Sequence, residues 1–212
     1  MAQSIGGIYA ALRLPRIYSA LQMAIARTDT RRVVTDRYIR AKKGDRIVDI
    51  GCGPGGMLPY LDGTDYIGID LDPNYIEAAT RNYGERGRFI QGDVTQVADQ
   101  IRGQCDVVLA MALLHHLDDR QARALFDAAA NLLCPGGRLV TLDCVWTTPQ
   151  NPIARALIAA DRGKNTRTQE EYVALARVSF SSIDVHLHDD LLRVPYTHCI
   201  MVCHKEVVPR KP

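Results

Sequence analysis

Residues 48–56 read VDIGCGPGG, an apolar run entering four glycines with one carboxylate, Asp49, inside it. Two cofactor chemistries suit that spacing. Gly51, Gly53 and Gly56 satisfy G-x-G-x-x-G, a loop whose backbone cradles a pyrophosphate. Asp49, Gly51, Gly53 and Gly55 satisfy D-x-G-x-G-x-G, which suits S-adenosylmethionine (SAM), a cofactor with a cationic sulfonium, an ammonium group and no phosphate. The glycines alone do not decide between them.

The surrounding acids do. Asp70 ends the apolar run YIGID, where either cofactor presents ribose hydroxyls to a carboxylate. Asp49 discriminates, because an acid beside the loop repels a pyrophosphate and attracts an ammonium. Asp93, in QGDV, stands where it could accept from an adenine amino group while Val94 offers its backbone N–H; on its own, Asp93 also reads as a turn or N-cap residue. Together Asp49, Asp70 and Asp93 favour SAM. The nicotinamide alternative predicts binding of NADH and not of SAM.

These residues need a scaffold that brings strand ends together. RIVDIG, TDYIGIDL, GRFIQGD, DVVLAMALL and RLVTLDCV read as five strands, the fourth a continuous apolar run of the kind buried on both faces of a parallel sheet. Between them, Asp72-Pro73 opens a helix reaching about Asn82, and an alanine-rich helix over 119–133 stops at Cys134-Pro135-Gly136-Gly137. Strand–helix alternation implies right-handed crossovers and a parallel sheet with helices on both faces. Later, a helix around 152–160 precedes the polar loop DRGKNTR, Thr168 and Glu171 form a capping box for another helix, and 183–203 alternates like an edge hairpin.

With VDIGCGPGG, IGIDLDP, GDV, DVVLAMALLHHLDD and LLCPGGRLV in this order, the chain resembles the class I SAM-dependent methyltransferase superfamily over about residues 40–145, extended to about 205 by the hairpin. The resemblance implies an α/β, Rossmann-like three-layer sandwich whose seven-stranded, mostly parallel sheet has the order 3-2-1-4-5-7-6, strand 7 being antiparallel. It also implies a cofactor set. Asp49, Gly51, Cys52 and Gly53 would hold the methionine part, Asp70 and Leu71 the ribose, and Gly92, Asp93 and Val94 the adenine, with Met111 near the transferable methyl. LLHHLDD followed by CPGGRL looks like the small-molecule branch, so the expected reaction is in-line methyl transfer from SAM to an O, N or C nucleophile.

A hydroxyl or acidic carbon needs a general base. His115 and His116, just after the fourth strand, are the candidates; the alternative is that one lines the cofactor pocket and the other caps backbone. Asp161 and Arg162 in the long connection, Tyr18 in the N-terminal segment and His198 in VPYTHC are candidates for contacting the acceptor. No N/D-P-P-Y tetrad, Pro-Cys nucleophile or arsenic-type cysteine array is present. Cys199 and Cys203 share a strand face, but two ligands make no metal site, and no metal is expected.

Eight basic residues fall between Arg27 and Arg46. They read as a solvated helix face or as a site for an anionic acceptor or RNA; a small anionic or sugar-like acceptor is favoured over nucleic acid. A non-catalytic SAM-binding protein remains the other alternative. At 212 residues, 47% apolar and 24% charged, with net charge +2, one domain with a full core is expected. It divides into an N-terminal helical lid (1–40), a SAM-binding core (41–145) and a substrate-side segment with the terminal hairpin (146–206). The six cysteines lack C-x-x-C pairing and read as buried thiols of a cytoplasmic protein. No signal peptide or membrane span is expected.

Overall fold

The computed structural model describes residues 30–97, 101–161 and 163–207. Tyr18, Arg162 and residues 1–29 of the expected lid lie outside the described residues. The chain enters through α1 (Thr30–Val34), which continues as a π-helical turn, Thr35–Ile39. Eight strands follow: β1 Arg46–Ile50, β2 Asp65–Asp70, β3 Gly87–Gln91, β4 Cys105–Met111, β5 Leu133–Trp146, β6 Arg167–Thr168, β7 Ser182–His188 and β8 His198–His204. The helices between them are α2 Pro73–Tyr83, α3 Val94–Val97, α4 Asp119–Leu132, α5 Pro152–Ala159 and α6 Gln169–Ala176.

The sheet order is β3-β2-β1-β4-β5-β8-β7, with the two-residue β6 paired to the end of β5. Apart from β6, this is the expected 3-2-1-4-5-7-6 arrangement with one strand more. β1 to β5 are parallel, and β8 runs antiparallel between β5 and β7. The carboxyl ends of β1, β2, β3, β4 and β5 therefore share one edge, and β8 begins there, His198 lying opposite Cys144. Ligands of open α/β sheets bind along such an edge.

Each face of the sheet buries its own apolar cluster. Val48, Ile67, Val108 and Leu139 pack under Phe126 and Leu132 of α4 and Tyr172 of α6. On the other face Ile47, Tyr66, Val107 and Leu109 meet Val34, Ile39, Leu58 and Leu191. Strand β1 thus alternates its side chains between two buried layers, which is why a carboxylate at position 49 lies fully inside.

Local chemistry explains the element ends. Asp72 accepts from the Asn74 N–H at 2.8 Å and caps α2. Asp118 and Gln121 form a capping box on α4, and Thr168 and Glu171 form one on α6. Two expected boundaries shift. The fourth strand stops at Met111 instead of Leu114, because Ala112 turns the backbone into the left-handed region (φ 54°) and a 3-10 turn, Leu114–His116, follows. The fifth strand starts directly at Leu133, with Cys134–Gly137 inside it: Gly137 lies so close to the Asp106 and Cys105 carbonyls that a Cβ would stand 3.0 Å from each. Among the described residues no helix is long and apolar enough to cross a membrane. All six cysteines are free thiols, five of them buried.

Candidate functional site

The glycine loop grows out of β1. Gly51 and Cys52 donate to the Ile69 carbonyl at 2.8 and 3.1 Å, tying the loop to β2. Gly51 (φ 70°) and Gly53 (φ 53°) occupy the left-handed region, which a side chain enters only at a cost of about 1–2 kcal/mol. Cys52 turns inward over Gly68, where a Cβ would come within 2.8 Å of its sulfur, and burial pushes its thiol pKa far up. The cysteine therefore fills the floor of the loop as an inert neutral thiol.

Asp70 closes the loop, accepting from the Gly53 N–H at 2.8 Å and the Asp72 N–H at 2.9 Å with its two oxygens. Leu71 beside it is 69% exposed, an apolar surface at a polar edge. Asp93 caps α3: one oxygen accepts from both the N–H and the hydroxyl of Thr95 at 2.8 Å. The capping alternative for Asp93 is thus present, and its second oxygen stays available at the exposed edge. Gly92 has open space where a Cβ would stand, Val94 is buried, and Met111 is half-buried at the end of β4.

Asp49 is 1% exposed. Tyr66 donates its hydroxyl to one oxygen at 2.6 Å, and the other, Oδ1, is buried without a hydrogen-bond partner among the described residues. Burial, opposed by the Tyr66 bond and reinforced by Asp70, raises its pKa from 3.8 to about 7. A buried acceptor without a donor is costly. The Arg31 guanidinium lies against the loop at Gly56, 3.3 Å from where a Cβ there would stand.

A second cluster lies past β4 and β5. Asp143 of β5, which the sequence reading passed over, accepts from both the His115 backbone N–H (3.1 Å) and ring Nδ1 (2.7 Å). The ring's Nε2 is 3.5 Å from Asp161 Oδ1, and the His116 ring lies tilted by 41° against His115 with centroids 4.2 Å apart. Burial disfavours the charged imidazole, but the two carboxylates outweigh it and raise His115 to about 9. Asp161 moves the other way: burial would raise it, and His115, the Gly163 N–H and Tyr196 together hold it well below the usual carboxylate range. His115, expected as a candidate base, is therefore an imidazolium near neutral pH and holds the proton a base would have to accept.

The 3-10 turn carrying both histidines is clamped by Arg167, another residue missed in the sequence. Its buried guanidinium donates to the carbonyls of Leu114 (3.1 Å), Leu117 (2.8 Å) and Asn165 (2.9 Å) and to Asp119 (2.8 Å). An arginine in a polar connection carries no such signal. Gly163 packs so tightly on His115 that a Cβ would overlap the ring, 2.0 Å from Cδ2.

His198 has the opposite character. It is 7% exposed, its Nδ1 has no partner among the described residues, and burial with the charges of His188 and His115 lowers its pKa to about 4. It is a neutral imidazole stacked 5.0 Å from Tyr196, whose hydroxyl donates to Asp161 at 3.2 Å. A cavity of about 370 Å³ opens next to Tyr196, between Asn151 and Ala154 of the α5 start and the 189–197 loop with Asp189 and Arg193. None of the glycine-loop residues lines it, and neither do Met111, His115 or His198.

The basic run is divided by the fold. Arg31 and Arg32 lie beside the glycine loop, Arg32 over the Tyr60 ring. Lys42, Lys43 and Arg46 stand at the amino end of β1, the opposite edge of the sheet, where Arg46 pairs with Asp65 at 2.7 Å. They do not form one surface facing the site.

Comparison with known proteins agrees with this geometry. Residues 47–137 match the family model described as a methyltransferase domain. A ubiquinone biosynthesis O-methyltransferase of Psychrobacter arcticus is 36% identical over 156 residues, covering 66% of this chain and 58% of the relative. One from Psychrobacter cryohalolentis is 29% identical over 168 residues, covering 72% and 63%. Residues 47–137 form a methyltransferase domain, and the sheet order is that of the class I SAM-dependent methyltransferases.

The fold is shared with a solved Haemonchus contortus phosphoethanolamine N-methyltransferase 2 in complex with SAM, with TM-score 0.72, 14% identity, and coverage of 97% of this chain and 61% of that one. The chain spans less than two thirds of the length of the curated relatives it matches. The residues present fit the family's cofactor: an open left-handed glycine loop, an exposed apolar platform at Leu71, and an unpartnered buried carboxylate oxygen on Asp49 where a cationic group would be accommodated. A pyrophosphate has no complementary donor in that carboxylate.

Proposed function

We propose that this chain is a methyltransferase that uses SAM to methylate a small-molecule acceptor, with a hydroxyl as the favoured nucleophile. The observation that carries the reading is Asp49: a buried carboxylate with one unpartnered oxygen under an open glycine loop. Bound SAM supplies a methyl already activated on a sulfonium, so the protein's task is orientation, exclusion of water and handling of the acceptor's proton.

The chain's own residues divide that work. Asp49 would neutralise the ammonium and Arg31 the carboxylate of the methionine end; Asp70 and Leu71 would receive the ribose, and Asp93 with the Val94 N–H the adenine. Met111 and the left-handed turn at Ala112 would shape the wall next to the methyl. His198, neutral because burial lowers its pKa to about 4, is too weak a base to hold an acceptor's proton and would serve as a hydrogen-bond partner, while His115 would act through hydrogen bonding and charge. The hydroxyl preference draws on the ubiquinone biosynthesis O-methyltransferases, whose named activity is O-methylation.

The test is incubation of the pure protein with methyl-labelled SAM and a panel of small hydroxylated acceptors, aromatic and sugar-like. Label transfer with release of S-adenosylhomocysteine (SAH) is expected for at least one hydroxyl compound. Transfer confined to amines would overturn the hydroxyl preference, and transfer to RNA alone would overturn the small-molecule reading.

A further inference from the structure

Asp143, His115 and Asp161 stand in a row that holds a proton on His115 in the ion-free chain, a proton that a cation bound at the ring would displace into solvent. His115 Nδ1 faces Asp143 at 2.7 Å, so Asp143 fixes the tautomer and leaves Nε2 pointing away from the core. Nε2 meets Asp161 Oδ1 at 3.5 Å, long for a hydrogen bond to a charged group. That gap has another natural meaning. Two ligands bound at about 2.1 Å in tetrahedral geometry stand about 3.4 Å apart. A ring nitrogen of His116 completes the set: one donor atom from each of His115, His116 and Asp161 lies within 4.8 Å of the others.

We propose that His115, His116 and Asp161 form a binding site for a borderline divalent cation of the zinc class, with Asp143 as the carboxylate that orients His115. The surroundings have the features such a site needs. A ligating histidine ordinarily gives its other ring nitrogen to a carboxylate, and here that carboxylate is buried, with Oδ2 unpartnered. Asp161 is held in turn by the Gly163 N–H at 2.9 Å and by Tyr196 at 3.2 Å. The Arg167 clamp on the Leu114 and Leu117 carbonyls fixes the turn that presents the two rings.

Access is graded, with His115 buried, Asp161 half-buried and His116 exposed, so an ion has an entry side. Two imidazoles and one carboxylate favour zinc, cobalt or iron(II) over magnesium or calcium, which prefer all-oxygen sets. Three protein ligands leave a fourth position open, as in catalytic and not structural zinc sites. An acceptor hydroxyl in that position would become more acidic; this role rests on the reading given above, whereas the ion site itself does not.

Cobalt(II) reports the site without any methyl donor or acceptor. Titrating the full chain with cobalt(II) is expected to give a visible ligand-field spectrum of low-symmetry four-coordinate type, saturating at one ion per chain and displaced by zinc. His116→Ala, an exposed position that leaves the fold intact, should weaken binding at least 100-fold. Asp143→Asn should weaken it 10- to 100-fold, the usual effect of losing an orienting carboxylate. A chain that gives no such spectrum, or a His116→Ala variant that binds cobalt as tightly as the unaltered chain, overturns the proposal. Cobalt binding with no methyl transfer would leave the ion site standing and count against the enzymatic reading; transfer with no cobalt binding would do the reverse.

Discussion

Asp49 should give SAH affinity a pH dependence whose size follows from its surroundings. Burial raises its carboxyl to about 7 against the stabilising Tyr66 bond. Relative to 3.8, that shift corresponds to about 4 kcal/mol for holding the ionised form in the cofactor-free protein. Because the folded pKa is raised, the stability this group contributes is fully present below about 3.8 and is lost as pH rises through about 7. A bound ammonium reverses the balance, since it needs the carboxylate ionised. Between pH 6 and 8 the ionised fraction grows from about a tenth to about nine tenths, so SAH should bind about tenfold tighter at pH 8. Calorimetric titration at pH 6, 7 and 8 measures this. 5′-Methylthioadenosine, which lacks the amino-acid end, should show no such rise. Asp49→Asn should flatten the SAH curve and weaken binding at pH 8 by about 1.5–3 kcal/mol, the value of a hydrogen bond to a charged group. Equal SAH affinity at pH 6 and 8, or parallel slopes for the two ligands, would refute the assignment of Asp49 to the ammonium.

Substitutions at three positions probe the scaffold around the site. Arg167→Lys keeps the charge but not the fork that holds three carbonyls and Asp119, and should cost about 2–4 kcal/mol in urea unfolding while lowering methyl transfer; an unchanged midpoint would mean the clamp is ornamental. Gly68→Ala forces a methyl to within 2.8 Å of both Cys52 and Phe89 and should destabilise by about 1–3 kcal/mol, with SAH affinity falling as the loop floor shifts. Ala112→Val puts a β-branched residue at φ 54° and should cost about 2 kcal/mol by thermal unfolding, whereas Ala112→Gly should be neutral or slightly stabilising.

The parallel strands were readable because β1 to β5 are short apolar runs separated by capping and stop signals, and both local periodicity and the buried sheet ask for the same residues. Asp72, Thr168 and Glu171 act in the structure as their types imply. What escaped lies where tertiary contacts override local signals. Nothing in AMALL announces that the strand ends at Met111, since the turn depends on Ala112 donating to the Leu142 carbonyl across the sheet at 2.6 Å. Asp143 sits inside RLVTLDCV as one polar letter in a strand, and only its approach to His115 across the neighbouring strand end gives it a role. Arg167, 50 residues from the Leu117 carbonyl it holds, leaves no trace in spacing. The charge state of His115 was equally out of reach, because two acids from separate segments determine it.

The loop of residues 48–56 and the acids around it define the cofactor. Titration calorimetry of the pure chain with SAH and, separately, NADH decides it. One SAH bound per chain, binding weakened in Asp70→Ala, and no heat from NADH are the predicted results. Binding of NADH in place of SAH, or SAH affinity indifferent to the loss of Asp70, would contradict it.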